Sequence, residues 1–266
     1  MTLTARSRPT RIASRPTLHQ WQRIALGTTC VAFVLAIWEL LARLSIIDIM
    51  FASSPTLISL RFAELLSGDE LFPAIQSTAI LFATGFGIAL LLGLGFGVVI
   101  GWFPWVHALV NPWVSMLYAA PRIAFIPLIV VWVGADFKAQ TVIIVINAMF
   151  PILVNTMAGV DAIDRQLLRV AQSFGASNVD VLRTVAIPGA IPVLMAGVRT
   201  GMMTALLGTV IAEYFVGLTG VGGMIFNAGL ILDTTTAFVG AIIFAVAAML
   251  LSSGLGWLQS RVDRWR

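Results

Sequence analysis

Over 266 positions the chain is 59% hydrophobic and only 11% charged, whereas a soluble domain carries about 25% charged residues. Water cannot be its solvent along most of its length, and a mean hydropathy of +0.98 also excludes a disordered or collagen-like chain. The single Cys30 excludes an internal disulfide framework, and the formal charge of +4 arises from basic residues gathered at the ends of apolar runs, a distribution that argues against nucleic acid as a partner.

Six runs reach the roughly 20 apolar residues that a spanning helix needs. They are 24–42, 78–101, 108–133, 139–158, 189–212 and 237–258. A basic arm, 1–23, with Arg6, Arg8, Arg11, Arg15 and Arg23, precedes the first. That run, taken to residue 43, is longer than the apolar segment of a signal peptide and is closed by no small-x-small cleavage site, so it reads as a retained anchor. Within it Glu39 and Arg43 stand at i and i+4, the spacing of a helix-surface ion pair. An outer loop, 44–77, follows. Five spans then occupy 78–258, and 259–266 forms a short basic tail.

In the second span Gly93, Gly97 and Gly101 recur every four residues, baring one helix face for close packing. The third contains Pro112, Pro121 and Pro127, the last two bracketing Arg122. Each proline removes an i to i−4 hydrogen bond, so this span should break near Arg122 and free carbonyls that a cavity or a guanidinium can satisfy. Arg122 is therefore a candidate pathway residue. Between the fourth and fifth spans lies the longest loop, 161–188. Asp161 is expected to cap a helix with Asp164 at its third position, Leu167, Leu168, Val170, Ala171 and Phe174 recur at helical spacing, and Gly175 ends it. Ser177 with Asp180 starts a second helix through a capping box, Val181, Leu182 and Val185 form its apolar face, and Pro188 marks the return to the membrane. Two such amphipathic helices make a knob that could lie on lipid headgroups or dock into a groove of a soluble partner. Arg199 in the fifth span could reach the inner interface or pair with another span, and Glu213 could line an outer gate or cap the helix end.

Basic residues fix the orientation. The arm, the 159–188 segment and the tail carry eleven, against two, Arg61 and Lys138, in 44–77, 134–138 and 213–236. Both termini and the knob are thus expected in the cytoplasm. Enzymatic chemistry finds no footing: His19 and His107 lie outside the spans, leaving no intramembrane Ser-His pair and no His-rich metal site. No catalytic residue, metal ligand or bound cofactor is assigned.

The run Gly175-Ala176-Ser177, followed by Leu182, Ile187-Pro188, Ala190, Pro192, Gly197 and Arg199, resembles the cytoplasmic EAA loop of permeases of binding-protein-dependent ABC importers. Trp38-Glu39, Pro55-Thr56, the glycine series, Pro121-Arg122-Ile123-Ala124, Pro127-Leu128, Pro151-Ile152, Asn155-Thr156 and Ala212-Glu213 ahead of Gly220-Val221-Gly222 resemble the branch for sulfonates, taurine and nitrate, with relatives for bicarbonate, riboflavin and thiamine precursors. The resemblance covers roughly 35–260. It implies an all-α integral membrane protein of six spans, of the type I importer permease kind, in the cytoplasmic (inner) membrane of a prokaryote. Implied partners are a second permease copy, two cytoplasmic ATPase subunits and an extracytoplasmic solute-binding protein. ATP would be used by the partners, since the sole lysine, Lys138, lies on the outer side and no P-loop exists here. Coupling would fall to Asp164, Leu168, Arg169, Ala171, Phe174, Gly175, Ala176, Ser177 and Leu182, and the pathway to Arg122, Asn155, Arg199 and Glu213. Arg169 stands where such permeases carry a glutamate. It implies either an acidic complement on the partner or a residue facing water or anionic headgroups. A secondary carrier or channel would need an inverted repeat, which the sequence lacks, and a membrane-embedded vitamin-binding subunit would leave the long knob without a use.

Overall fold

The computed structural model describes residues 20–217 and 219–262, so most of the basic arm and the tail residues Arg264 and Arg266 lie outside the described residues. The described residues form α-helices joined by short turns, with no strand among them. They are α1 (Gln20–Arg43), α2 (Ile49–Ala52), α3 (Pro55–Ser67), α4 (Leu71–Trp102), α5 (Pro104–Ala119), α6 (Ile126–Val133), α7 (Phe137–Asp161), α8 (Arg165–Ser173), α9 (Asn178–Val181), α10 (Ile187–Ala212), α11 (Gly220–Leu230) and α12 (Thr234–Val262).

Five helices are long and apolar enough to cross a membrane by themselves, and α5 with the segment Arg122–Val133 makes a sixth, bent by 91°. The expected break near Arg122 is present. Pro121 cannot continue α5, and a 3-10 turn, Arg122–Phe125, carries the chain round the bend before Pro127 starts α6 from its first turn.

Helix α7 is the centre. Its face Ile143, Ile144, Ala148, Ile152 and Met157 is buried between α4 and α10. Both neighbours approach it through glycine. A Cβ on Gly93 would stand 2.8 Å from Ile152 Cβ, on Gly97 2.5 Å from Thr156 Cβ, and on Gly101 2.8 Å from the Met157 carbonyl oxygen. From the other side, a Cβ on Gly197 would stand 2.5 Å from Asn155 Cβ, and one on Gly201 would overlap Ile152. Close approach of backbones is what drives helix association where lipid is as apolar as leucine. The small-residue face of α4 also runs further outward than the three glycines suggest, through buried Ala89 and Gly85.

Three expectations need correction. The 44–77 segment is not a plain loop: Asp48 and Ser54 cap α2 and α3 through their side chains, and α4 starts at Leu71, seven residues before the expected span. Asp161 caps nothing, because α7 runs to it; Asp164 is the N-cap of α8, accepting from the Gln166 N–H at 2.7 Å. Finally, the second knob helix does not stop before Pro188. Helix α9 passes through a π-helical turn, Leu182–Ala186, straight into α10, because Pro188 falls at the first turn of α10, where a missing N–H costs little.

On the outer side α3 is pinned to α12. Arg61 Nε donates to Thr236 Oγ1 at 3.0 Å, and Thr236 donates to Asp233 through both its hydroxyl and its N–H. Helix α1 joins this outer corner through Arg43 and Glu39, paired at 2.7 Å as their spacing suggested, the Thr56 N–H donating to the second Glu39 oxygen, and Trp38 against Phe238 at 5.3 Å.

Candidate functional site

The cytoplasmic knob is built by local chemistry. Asp164 opens α8, and Gly175, at φ +83°, closes it. The Gly175 N–H donates to the Gln172 carbonyl at 2.9 Å and the Ala176 N–H to the Ala171 carbonyl at 3.3 Å, the paired bonds of a Schellman end. Ser177 and Asp180 then cap α9 reciprocally. Between these two stops α8 presents Leu167, Val170 and Phe174 outward, Phe174 at 88% exposure, with Val179 of α9 also exposed. The expected coupling residues divide. Phe174, Gly175 and Ser177 lie on the exposed side, while Leu168, Ala171, Ala176 and Leu182 are half-buried. Leu168 and Arg169 line a cleft of about 560 Å³ between α8 and the inner ends of α4 and α7, with Trp102, Asp161 and Gln172.

At the bend of the broken span, Arg122 reaches two main-chain carbonyls. One, at 3.1 Å, belongs to Asn147, whose helical partner would be the N–H that Pro151 lacks. The other, also at 3.1 Å, belongs to Tyr118, in the last turn of α5. The Tyr118 and Phe150 rings lie 5.1 and 5.8 Å from the guanidinium carbon, within cation–π range. Asn155, one turn beyond Pro151, turns its amide back onto the Pro151 carbonyl at 2.8 Å and packs on Gly197.

Arg199 is exposed and donates to Ser252 Oγ of α12 at 3.2 Å. It stands twelve residues into α10, about 18 Å from the start of that helix. Of its two expected dispositions, the pairing with another span is the one observed.

Glu213 is neither a headgroup cap nor open to a vestibule: its side chain is fully buried. It begins a second π-helical turn, Glu213–Gly217, at the outer end of α10. Thr78 of α4 donates to its Oε1 at 2.7 Å, the Gly222 N–H of α11 to its Oε2 at 2.8 Å, and Thr78 Oγ1 in turn accepts the Val221 N–H at 2.9 Å. A Cβ on Gly220 would collide with the carboxylate, and one on Gly222 would lie 2.7 Å from Glu213 Cβ. Sequence reasoning saw the Glu213 and glycine motif but not Thr78, which lies 135 residues away and carries no local signal. Among the described residues no group of three or more His, Cys, Asp or Glu could hold a metal ion.

Comparison with known proteins places this geometry. The family model described as "Binding-protein-dependent transport system inner membrane component" matches residues 85–266. An aliphatic sulfonate transport permease protein of Bacillus subtilis is 32% identical over 240 residues, 90% of this chain and 87% of that protein. A taurine transport system permease protein of Escherichia coli is 27% identical over 263 residues, 96% of each chain. Among solved structures, one described as an amino acid ABC transporter with histidines superposes with a TM-score of 0.57 at 20% identity, over 77% of this chain and 98% of that one, a likeness of fold.

Proposed function

Since the chain belongs to the family of binding-protein-dependent transport system inner membrane components, we propose that two copies form the alternating-access pathway of an ATP-driven importer for a small anion, a sulfonate such as taurine in the first instance. Each copy would dock on one cytoplasmic ATPase subunit, and a solute-binding protein would deliver cargo outside. The observation that carries the coupling half is the knob. An exposed Phe174, Leu167 and Val170 on a short helix fixed at both ends is an apolar anchor aimed at the cytoplasm, suited to a groove on a soluble partner. The sulfonate and taurine relatives support the cargo.

In this reading Arg199 is the pathway cation, while Asn155 packs on Gly197, about 200° around α10 from it. A guanidinium with a single hydroxyl partner has donors to spare for an anionic headgroup. Arg122, by contrast, holds the bend, and Glu213 holds the outer end.

The test is transport itself. The chain is reconstituted in proteoliposomes with the ATPase and binding protein encoded beside it, and ATP-dependent uptake of taurine and alkanesulfonates is compared with that of nitrate and riboflavin. Saturable sulfonate uptake that falls in Arg199→Gln at unchanged assembly is expected. Uptake of another solute to the exclusion of sulfonates would overturn the cargo, and uptake without ATP or ATPase would overturn the importer.

A further inference from the structure

We infer that Glu213 is a positioning residue of the transport cycle, the outer latch of a helical rod that carries displacement of the cytoplasmic knob to the far side of the membrane. This rests on the reading that the knob docks on an ATPase.

The rod is Asn178–Gly217, forty residues of continuous helix that include Pro188 and Pro192. At 1.5 Å per residue it is about 60 Å long, twice the thickness of a hydrocarbon core. Its inner end is the Ser177 and Asp180 capping box beside Gly175, and its outer end is Glu213. Each end carries one π-helical turn, Leu182–Ala186 and Glu213–Gly217. Such turns loosen the hydrogen-bond ladder locally and occur most often where a helix has work to do. Along its middle the α7 side chains Asn155, Ile152 and Asn147 seat in the notches left by Gly197, Gly201 and Gly208, so the rod is keyed to α7 there. A helix keyed along its middle and loosened towards both ends passes a displacement of its inner end to its outer end.

What it moves is set by Glu213. One carboxylate gathers a hydroxyl of α4 and an N–H of α11, and the α4 hydroxyl ties a second N–H of α11. Three elements therefore meet at one side chain, and α11, too short to span, is tied to this point by its N-terminal turn while its length packs on α12 and α4. A hydrophobic residue would bury here without the penalty that a carboxylate incurs. A fourth element also approaches. Gln140 of α7, buried at 4% exposure, points its Nε2 at Gly217 and has no acceptor among the described residues. A buried donor without an acceptor is costly, and movement of the π turn against α7 would bring this one a carbonyl. In that arrangement Glu213 leaves Thr78 and Gly222, and α11 lifts from α4.

The experiment uses the assembled complex in native membranes, with Cys30→Ala as background. Ala228→Cys reports on α11, since Ala228 is buried in it. Thr78→Val and Glu213→Gln are compared singly and together, and Thr78→Ser restores the hydroxyl. Expected for each latch variant is thiol labelling of Ala228→Cys from outside that is roughly fivefold faster or more. ATP hydrolysis should no longer need the binding protein, and uptake per ATP should fall. The double variant should match the singles, because all act on one network, and Thr78→Ser should behave as the parent. Lower yield with unchanged labelling and unchanged uptake per ATP would overturn the latch. If the parent chain binds no ATPase, the docking reading fails and the transmission with it. The labelling comparison needs no partner and still decides whether Glu213 holds α11.

Discussion

Replacing Gly175 isolates the conformational part of coupling from every steric one. At φ +83° the residue sits where L side chains are strained, yet a Cβ built on it meets no atom within 4 Å. Any penalty is therefore backbone strain, about 1 to 2 kcal/mol for an unbranched residue and up to about 3 for a β-branched one, with asparagine the mildest. The motif that resists it consists of two main-chain hydrogen bonds, from Gly175 and Ala176 to Gln172 and Ala171, each worth about 1 kcal/mol net. Strain and restraint are of similar size for alanine, and strain wins for valine. With Gly175→Val the end of α8 should open and carry Phe174 out of place. At about 1.4 kcal/mol per decade, ATPase affinity should then fall by one to two decades, while Gly175→Asn should cost less than about threefold. Titration of purified ATPase subunits onto the chain in nanodiscs measures both, with membrane insertion and yield as controls. Wild-type affinity in Gly175→Val, or an equal loss in Gly175→Asn, would refute the reasoning, the first by detaching the knob from docking and the second by showing that contact rather than strain decides.

The glycine faces can be tested on one helix: Gly97→Ala should lower the melting temperature, since overpacking costs about 1 to 3 kcal/mol and helix propensity returns at most about 1, whereas Gly95→Ala, with open space at its Cβ, should be neutral or stabilising. Equal effects at the two positions would count against close packing. Arg122→Gln should lower yield and thermal stability together, with Arg122→Lys recovering part of the loss and uptake per assembled complex unchanged; reduced uptake at full stability would instead put Arg122 in the pathway. At Asp233, burial pushes the carboxyl up, but the Thr236 hydroxyl and N–H, aided by Arg61, outweigh it and hold the group below the usual carboxylate range. A depressed folded pKa gives stability that is complete above the unfolded value of about 3.9 and lost below it. Acidification from pH 5 to 3 should therefore release α3 from α12, and Asp233→Asn should flatten that dependence in hydrogen exchange of α3.

What was legible in the sequence was what lipid and local chemistry determine. Run length located the spans, Pro121 and Pro127 located the break, and Ser177 with Asp180 located a cap, because each signal lies within a few residues of its effect. The glycine spacing named a packing face, yet could not name α7 as the helix on both sides of it. Helices α3 and α11 were missed because a window tuned to 20 apolar residues passes over thirteen and eleven. Pro188 marked the return to the membrane, but nothing in the sequence showed that the return is made inside one continuous helix through a π turn. The site at Glu213 was only half visible, as its partner Thr78 is joined to it by the fold and by nothing in the chain between.

Arg122 and Arg199 show how the same side chain takes opposite roles inside one membrane. An arginine within a span costs a few kcal/mol on insertion scales and persists only where donors are met. Arg122 meets carbonyls that the sequence itself has released, one through Pro151 and one at the end of α5, and two aromatic rings approach its guanidinium. Its two terminal nitrogens are taken by the fold, while its buried Nε has no acceptor among the described residues. Arg199 has a single hydroxyl, from α12, and is exposed. The threonines around it do not share this problem, since Thr200 and Thr204 return their hydroxyls to carbonyls of their own helix. Apolar exposure says little about partners in a chain dissolved in lipid, so the many exposed leucines and tryptophans point nowhere in particular. An under-satisfied guanidinium does point: the face of α10 that carries Arg199 calls for a polar partner, and Arg199→Gln measures what that partner is worth to transport.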